Sequence, residues 1–102
     1  MRWHPTGLAA DATMATPRTT DVEGTHILVV GWSGDWYAIE DRCSHAGCRF
    51  SEDGEIAGFH AICDCHGSEF DVRTGDVLSA PAREPIATFR VRIKAGMIEI
   101  ER

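Results

Sequence analysis

The chain has 102 residues, a net charge of -6 and four cysteines. That length supplies one hydrophobic core, so residues 1–102 read as a single domain, and an acidic surface repels phosphate backbones, which excludes nucleic acid and favours basic protein partners. The longest apolar run, Ile27 to Val30, falls far short of the roughly 20 residues that span a bilayer, and Met1-Arg2-Trp3-His4-Pro5 carries no secretory pattern, so a soluble cytoplasmic protein with no membrane span is expected.

In chain order, residues 5–20 are rich in Ala, Thr and Pro without a period of 2 or 3.6, and read as an irregular lead-in with one short strand. From Thr25 the pattern changes. His26-Ile27-Leu28-Val29-Val30, the turn Ser33-Gly34-Asp35 and Trp36-Tyr37-Ala38-Ile39 predict a β-hairpin. Residues 41–80 are dense in turn signals and predict short strands and loops, with no long helix. At the end, Phe89, Val91 and Ile93 alternate with basic residues, Ala95-Gly96 turns the chain, and Ile98 and Ile100 alternate with Glu99 and Glu101. This predicts a second hairpin with one buried face, and the fold class is all-β.

Two segments in the middle carry the chemistry: Cys43-Ser44-His45-Ala46-Gly47-Cys48 and Cys63-Asp64-Cys65-His66-Gly67-Ser68-Glu69-Phe70. Each pairs a Cys with a His at short spacing, and the residues between them suffice for a strand pair that returns the second loop beside the first. Two thiolates and two imidazoles suit either tetrahedral zinc, as in a structural interaction module, or a [2Fe-2S] cluster with the cysteines on one iron and the histidines on the other. The ligand count alone does not choose. No acid/base pair, activated nucleophile or nucleotide loop stands out, so an enzyme is not expected.

The order C-x-H, a gap of seventeen residues, then C-x-x-H-G-S-x-F-D, followed by Thr74-Gly75 and Ala80-Pro81, resembles the Rieske iron-sulfur family from about Asp41 to the end. The resemblance implies an antiparallel β-sandwich base with an inserted cluster-binding subdomain of two loops, at about residues 41–71. It implies one [2Fe-2S] cluster per chain, with Cys43 and Cys63 on the inner iron and His45 and His66 on the outer one. Cys48 and Cys65 stand where respiratory Rieske proteins carry a disulfide clamping the two loops. Such a bond, if formed in a reducing cytoplasm, is expected to be buried. Ser68 becomes a hydroxyl donor to a cluster sulfide, Phe70 replaces a tyrosine whose hydroxyl bonds a ligand sulfur, and the Pro81 loop covers one side of the cluster.

Function follows from the same resemblance. The chain is expected to be a one-electron carrier, the ferredoxin component between a flavin-dependent ferredoxin reductase and a Rieske non-haem iron oxygenase that hydroxylates aromatic rings. Both partners would dock near His45 and His66. The alternative is an electron-transfer subunit of a respiratory or oxidase complex. His4, His26 and His60 lack a Cys at ligand spacing and read as ordinary histidines, and Trp3, Trp32, Trp36 and Tyr37 as packing aromatics. Asp41, Glu52, Asp53, Glu55, Asp64 and Glu69 flank the loops and read as a solvated surface available for docking.

Overall fold

The computed structural model describes residues 1–10, 16–44 and 47–102. In chain order these form β1 (Trp3–Ala9), β2 (Arg18–Val22), β3 (Thr25–Trp32), β4 (Asp35–Glu40), a single helical turn α1 (Phe50–Asp53), β5 (Gly54–Ala57), β6 (His60–Cys63), β7 (Glu69–Asp71), β8 (Val77–Ser79), β9 (Thr88–Lys94) and β10 (Met97–Glu101). All pairings are antiparallel. They build a six-stranded sheet in the order β1-β10-β9-β4-β3-β2 and a four-stranded sheet in the order β5-β6-β7-β8. Among the described residues, no helix is long and apolar enough to cross a membrane.

Three of the hairpins in the larger sheet use the same device. The pairs Val22↔Thr25, Trp32↔Asp35 and Lys94↔Met97 each enclose two residues, Glu23-Gly24, Ser33-Gly34 and Ala95-Gly96, and every one of these six has positive φ. Two-residue turns of that handedness match the twist of the flanking strands, and glycine in the second place lowers their cost. Two of the hairpins coincide with those expected from the alternation of apolar residues. The lead-in differs: it contains β1 and β2, two strands rather than one short one. Both lie at the sheet's edges, where Pro5 and the polar run Thr19-Thr20-Asp21 are tolerated. The sheet curls until these edges approach, and Arg18 Nη1 donates to the Ala9 carbonyl (3.2 Å).

Strand β3 explains why its sequence is continuously apolar. Ile27 and Val29 point into a core inside the six-stranded sheet, with Val22, Ala38, Ile98 and Ile100; Leu28 and Val30 point the other way, into a core shared with the smaller sheet. A strand buried on both faces loses the period-2 pattern. The second core contains Ile39, Phe50, Ala61, Phe70, Val72, Ala82 and Ile86, together with Cys43 and Cys63. The two cysteines that matter most to the chemistry are thus part of the packing between the sheets.

Two contacts fix the smaller sheet on the larger. Gly75 has φ +84°, and a Cβ there would lie 2.3 Å from the Ile86 carbonyl oxygen, whose residue donates its N–H to the Gly75 carbonyl (3.0 Å). Gly75→Ala should therefore lower unfolding stability by about 2 kcal/mol or more, combining a left-handed backbone with a backbone clash, as read from a urea midpoint. Arg73 lies 4.0 Å over the Phe59 ring and 5.2 Å over the Trp32 ring, joining β3 to the smaller sheet. Its guanidinium holds Asp71 in a two-pronged pair (Nε to Oδ1 3.0 Å, Nη2 to Oδ2 2.8 Å).

The Arg73 hydrogen bonds hold the Asp71 carboxyl below its ordinary value of 3.8, against the opposing effect of burial. A depressed folded-state pKa contributes stability that is fully present above the ordinary value and is lost as pH falls through the folded one. Asp71→Asn should remove that contribution at neutral pH and flatten the acid limb below about pH 4. Urea midpoints of both proteins between pH 2.5 and 7 test this, and parallel curves would contradict it.

Candidate metal centre

The two Cys-His segments fold into matching loops. In the first, Cys43 N–H donates to the Cys48 carbonyl (2.7 Å) and Gly47 N–H to the Cys43 carbonyl (2.8 Å); in the second, Cys63 N–H donates to the Ser68 carbonyl (2.8 Å) and Gly67 N–H to the Cys63 carbonyl (2.8 Å). Each loop is closed by the same pair of bonds around a glycine of positive φ, Gly47 at 73° and Gly67 at 79°. The C-x-H-x-G-C and C-x-x-H-G-S spacings place Gly four residues after the first Cys in both cases. That shared spacing is the local reason for the shared geometry.

Both first cysteines point inward, Cys43 0% and Cys63 1% exposed, and both are free thiols. Cys43 lies close enough to Cys63 to perturb its thiol. Burial pushes the Cys63 thiol pKa up, the contact with Cys43 adds to the rise, and the N–H groups of Cys65 and His66 donate to its sulfur and act against it. Two adjacent buried thiols with backbone donors aimed at one sulfur suit thiolate ligands of a metal centre, where the cation supplies the compensation that burial denies. His66 lies outside the core on the exposed tip of the second loop. His45 lies outside the described residues, so its position is not part of this geometry.

A disulfide joins Cys48 to Cys65, across the two loops (Cα–Cα 6.7 Å). The pairing is the one implied by the resemblance, whereas the burial expected of it is not: Cys48 is half-buried and Cys65 is exposed. The Sγ atoms of Cys48, Cys65 and Cys63 all lie within 4.8 Å of one another.

A third loop, residues 80–86, is tied to both cluster loops. Ser44 Oγ donates to the Glu84 carbonyl (2.6 Å), and Ala82 N–H donates to Ser68 Oγ (3.1 Å). Ser68 is fully buried, and by accepting from Ala82 it keeps its own hydroxyl proton to donate. Phe70 is also fully buried and meets Phe50 edge to face, with ring centroids 5.7 Å apart. Ser44 went unremarked in the sequence because its partner lies 40 residues away.

Asp41 requires a correction. It is not a solvated docking acid but a carboxylate 1% exposed, two residues before Cys43. Its Oδ1 accepts from Ser51 N–H (3.0 Å), its Oδ2 from the Ser51 hydroxyl, and Arg49 Nε lies 3.4 Å from Oδ2. It thereby ties the start of the first loop to its far side. Glu69 pairs with His60 (3.0 Å), His26 with Asp21, and His4 Nε2 meets the Arg102 carbonyl (3.3 Å). Glu52, Asp53, Glu55 and Asp64 are exposed. Among the packing aromatics, Trp32 meets Phe59 edge to face, and Trp3 lies under Arg92.

The sequence profile of the Rieske [2Fe-2S] domain matches residues 2–90. The anthranilate 1,2-dioxygenase ferredoxin subunit of Burkholderia cepacia is 32% identical over 98 residues, covering 96% of this chain and 90% of that protein. The ferredoxin component of the p-cumate 2,3-dioxygenase system of Pseudomonas putida is 33% identical over 69 residues; the match spans 68% of this chain and 58% of that protein. Among solved structures, the complex of reduced oxygenase and oxidized ferredoxin in carbazole 1,9a-dioxygenase contains a chain with TM-score 0.84 and 30% identity, covering 96% of this chain and 91% of that one.

Proposed function

Because the chain belongs to the Rieske [2Fe-2S] domain family, we propose that it is the ferredoxin component of an aromatic-ring dioxygenase system, taking single electrons from a flavin-dependent reductase and delivering them to a terminal oxygenase. The resident group is one [2Fe-2S] cluster per chain. Cys43 and Cys63 would hold one iron, His45 and His66 the other, and the cluster would supply a one-electron couple. The observation that carries this reading is the pair of matching loops, which buries two adjacent thiols between the sheets and leaves His66 on the surface.

The residues divide the work. Cys43 and Cys63 keep their side of the site dry, as part of the core between the sheets. The exposed run Asp64-Cys65-His66-Gly67 offers a contact surface for both partners, with His66 on it. The Cys48–Cys65 bond holds the two loops together, and Ser44 and Ser68 hold the third loop against them.

With the cluster bound, Ser68 would have its hydroxyl proton free to donate to it, which would stabilise the more negative reduced state. Ser68→Ala should lower the reduction potential by tens of millivolts, on a scale of about 60 mV per 1.4 kcal/mol for one electron. Voltammetry on both proteins tests this, and an unchanged potential would remove the hydroxyl from the account.

The function is tested by mixing the dithionite-reduced protein anaerobically with the oxidised terminal oxygenase of an anthranilate- or carbazole-type system. One electron per chain should pass to the oxygenase within the mixing and turnover times of a stopped-flow experiment. A protein that stays reduced with such oxygenases contradicts the assignment.

A further inference from the structure

The Cys48–Cys65 bond is set unevenly in the structure. Cys48 packs against the core between the sheets, whereas Cys65 belongs to the exposed run of residues 64–67. Thiol–disulfide exchange begins when a thiolate reaches a bonded sulfur, so access decides which of the two is attacked. A reagent bound for Cys48 has to come past the packed core; one bound for Cys65 comes from solvent. Attack at Cys65 makes Cys48 the leaving sulfur and puts the mixed disulfide on the surface of the second loop. Exposed disulfides are the labile class, in contrast to buried structural ones.

The bond also does something that the rest of the site does only in part. Each loop keeps its own shape through backbone hydrogen bonds that do not involve the two sulfurs. Between the loops, the ties among the described residues run through neighbouring segments: Asp64 N–H donates to the Asp53 carbonyl (2.8 Å), and the third loop is held by Ser44 and Ser68. The disulfide alone joins one loop to the other covalently. Opening it leaves two shaped loops whose spacing depends on these weaker ties. In the proposed function each loop supplies one Cys and one His, so the spacing of the loops is the spacing of the ligands.

We propose that the clamp is a latch on the metal centre, opened at Cys65 by an external dithiol. One thiol of the reagent bonds to Cys65 Sγ, the Cys48–Cys65 bond breaks, and Cys48 leaves as a thiol. The reagent's second thiol then displaces Cys65, and the reagent departs as a disulfide. The dithiol gives up two electrons and two protons, and the two cysteines take them. A monothiol stops at the first step: its mixed disulfide lies beside the Cys48 thiol, whose high effective concentration reverses the attack. The latch therefore answers to dithiols and not to monothiols such as glutathione. Once it is open, the two halves of the ligand set are no longer fixed together and metal is lost more readily.

The consequence rests on the proposed ligand set, but the opening of the bond does not, and the experiment reads the two separately. Loaded and metal-free wild type are incubated anaerobically in native buffer with dithiothreitol or with glutathione at equal thiol concentration. After acid quench and alkylation, the state of the bond is read by mass spectrometry. Dithiothreitol should open Cys48–Cys65 in most molecules of both forms with the far-UV spectrum unchanged, and glutathione should leave it closed. Metal loss from loaded wild type to a chelator should then be several-fold faster with dithiothreitol. The Cys48→Ser/Cys65→Ser double variant should lose metal at the fast rate with or without it, which separates the latch from direct metal binding by the reagent. A bond that opens only in denaturant overturns the proposal, as does equal opening by glutathione or an open bond with unchanged metal loss. If the latch behaves as stated in a protein that holds zinc, the latch stands and the cluster assignment fails.

Discussion

His66→Ala should yield a protein that keeps its β-rich far-UV spectrum and contains almost no iron. The side chain sits on the exposed tip of the second loop, outside both cores, so its removal opens no cavity in the packing. The backbone bonds that shape the loop, Cys63 N–H to Ser68 and Gly67 N–H to Cys63, do not involve it. Under the proposed function its loss instead deletes one of the two imidazoles that would hold the outer iron. With half of that iron's protein ligands gone, iron should fall from two per chain to near zero, and the visible absorbance with it. Metal analysis beside circular dichroism gives the answer. A fully loaded His66→Ala protein would mean that the outer iron has another ligand.

Asp41→Ala should cost the fold about 3 kcal/mol, a large part of the stability of a domain this size. The substitution removes one carboxylate and strands three groups: the Ser51 N–H, the Ser51 hydroxyl and Arg49 Nε, a buried nitrogen with no hydrogen bond of its own and only the ion pair to Asp41 beside it. Deleting one partner of a buried polar network costs more than the network contributes, because the others keep their desolvation penalty. The effect should reach the site as well: alanine keeps the backbone bond from residue 41 to the His26 carbonyl (2.9 Å) but loses the side-chain tie to Ser51 and Arg49 across the first loop, two residues before Cys43. A urea midpoint shift with an unchanged slope is the expected readout. Stability equal to wild type would show that water replaces the carboxylate without penalty.

The strands that contribute most to the two cores were legible in the sequence. The alternation of Ile98 and Ile100 with Glu99 and Glu101 located β10, and the unbroken run Ile27–Val30 located β3, whose two buried faces account for the missing alternation. Strands β1 and β2 were harder. As edge strands they bury little, and their residues satisfy pairing more than packing; the one local signal was Glu23-Gly24, the same turn type as Ser33-Gly34 and Ala95-Gly96. At the site, motif spacing identified the loops, whose shape depends on neighbours close in sequence, whereas the pair Cys48–Cys65, 17 residues apart, came from the family resemblance. Asp41 was misread because a carboxylate's burial depends on Ser51 and Arg49 closing over it, which composition does not encode. The tether from Ser44 to Glu84 is invisible for a similar reason, since it joins loops brought together only by the tertiary fold.

The central claim, that these two loops bind a [2Fe-2S] cluster with mixed ligands, is tested most directly on anaerobically purified wild-type protein by iron and labile-sulfide analysis combined with electron paramagnetic resonance before and after reduction. The account predicts two irons and two sulfides per chain and a rhombic signal that appears only on reduction. One zinc per chain, no sulfide and no signal in either state would contradict it.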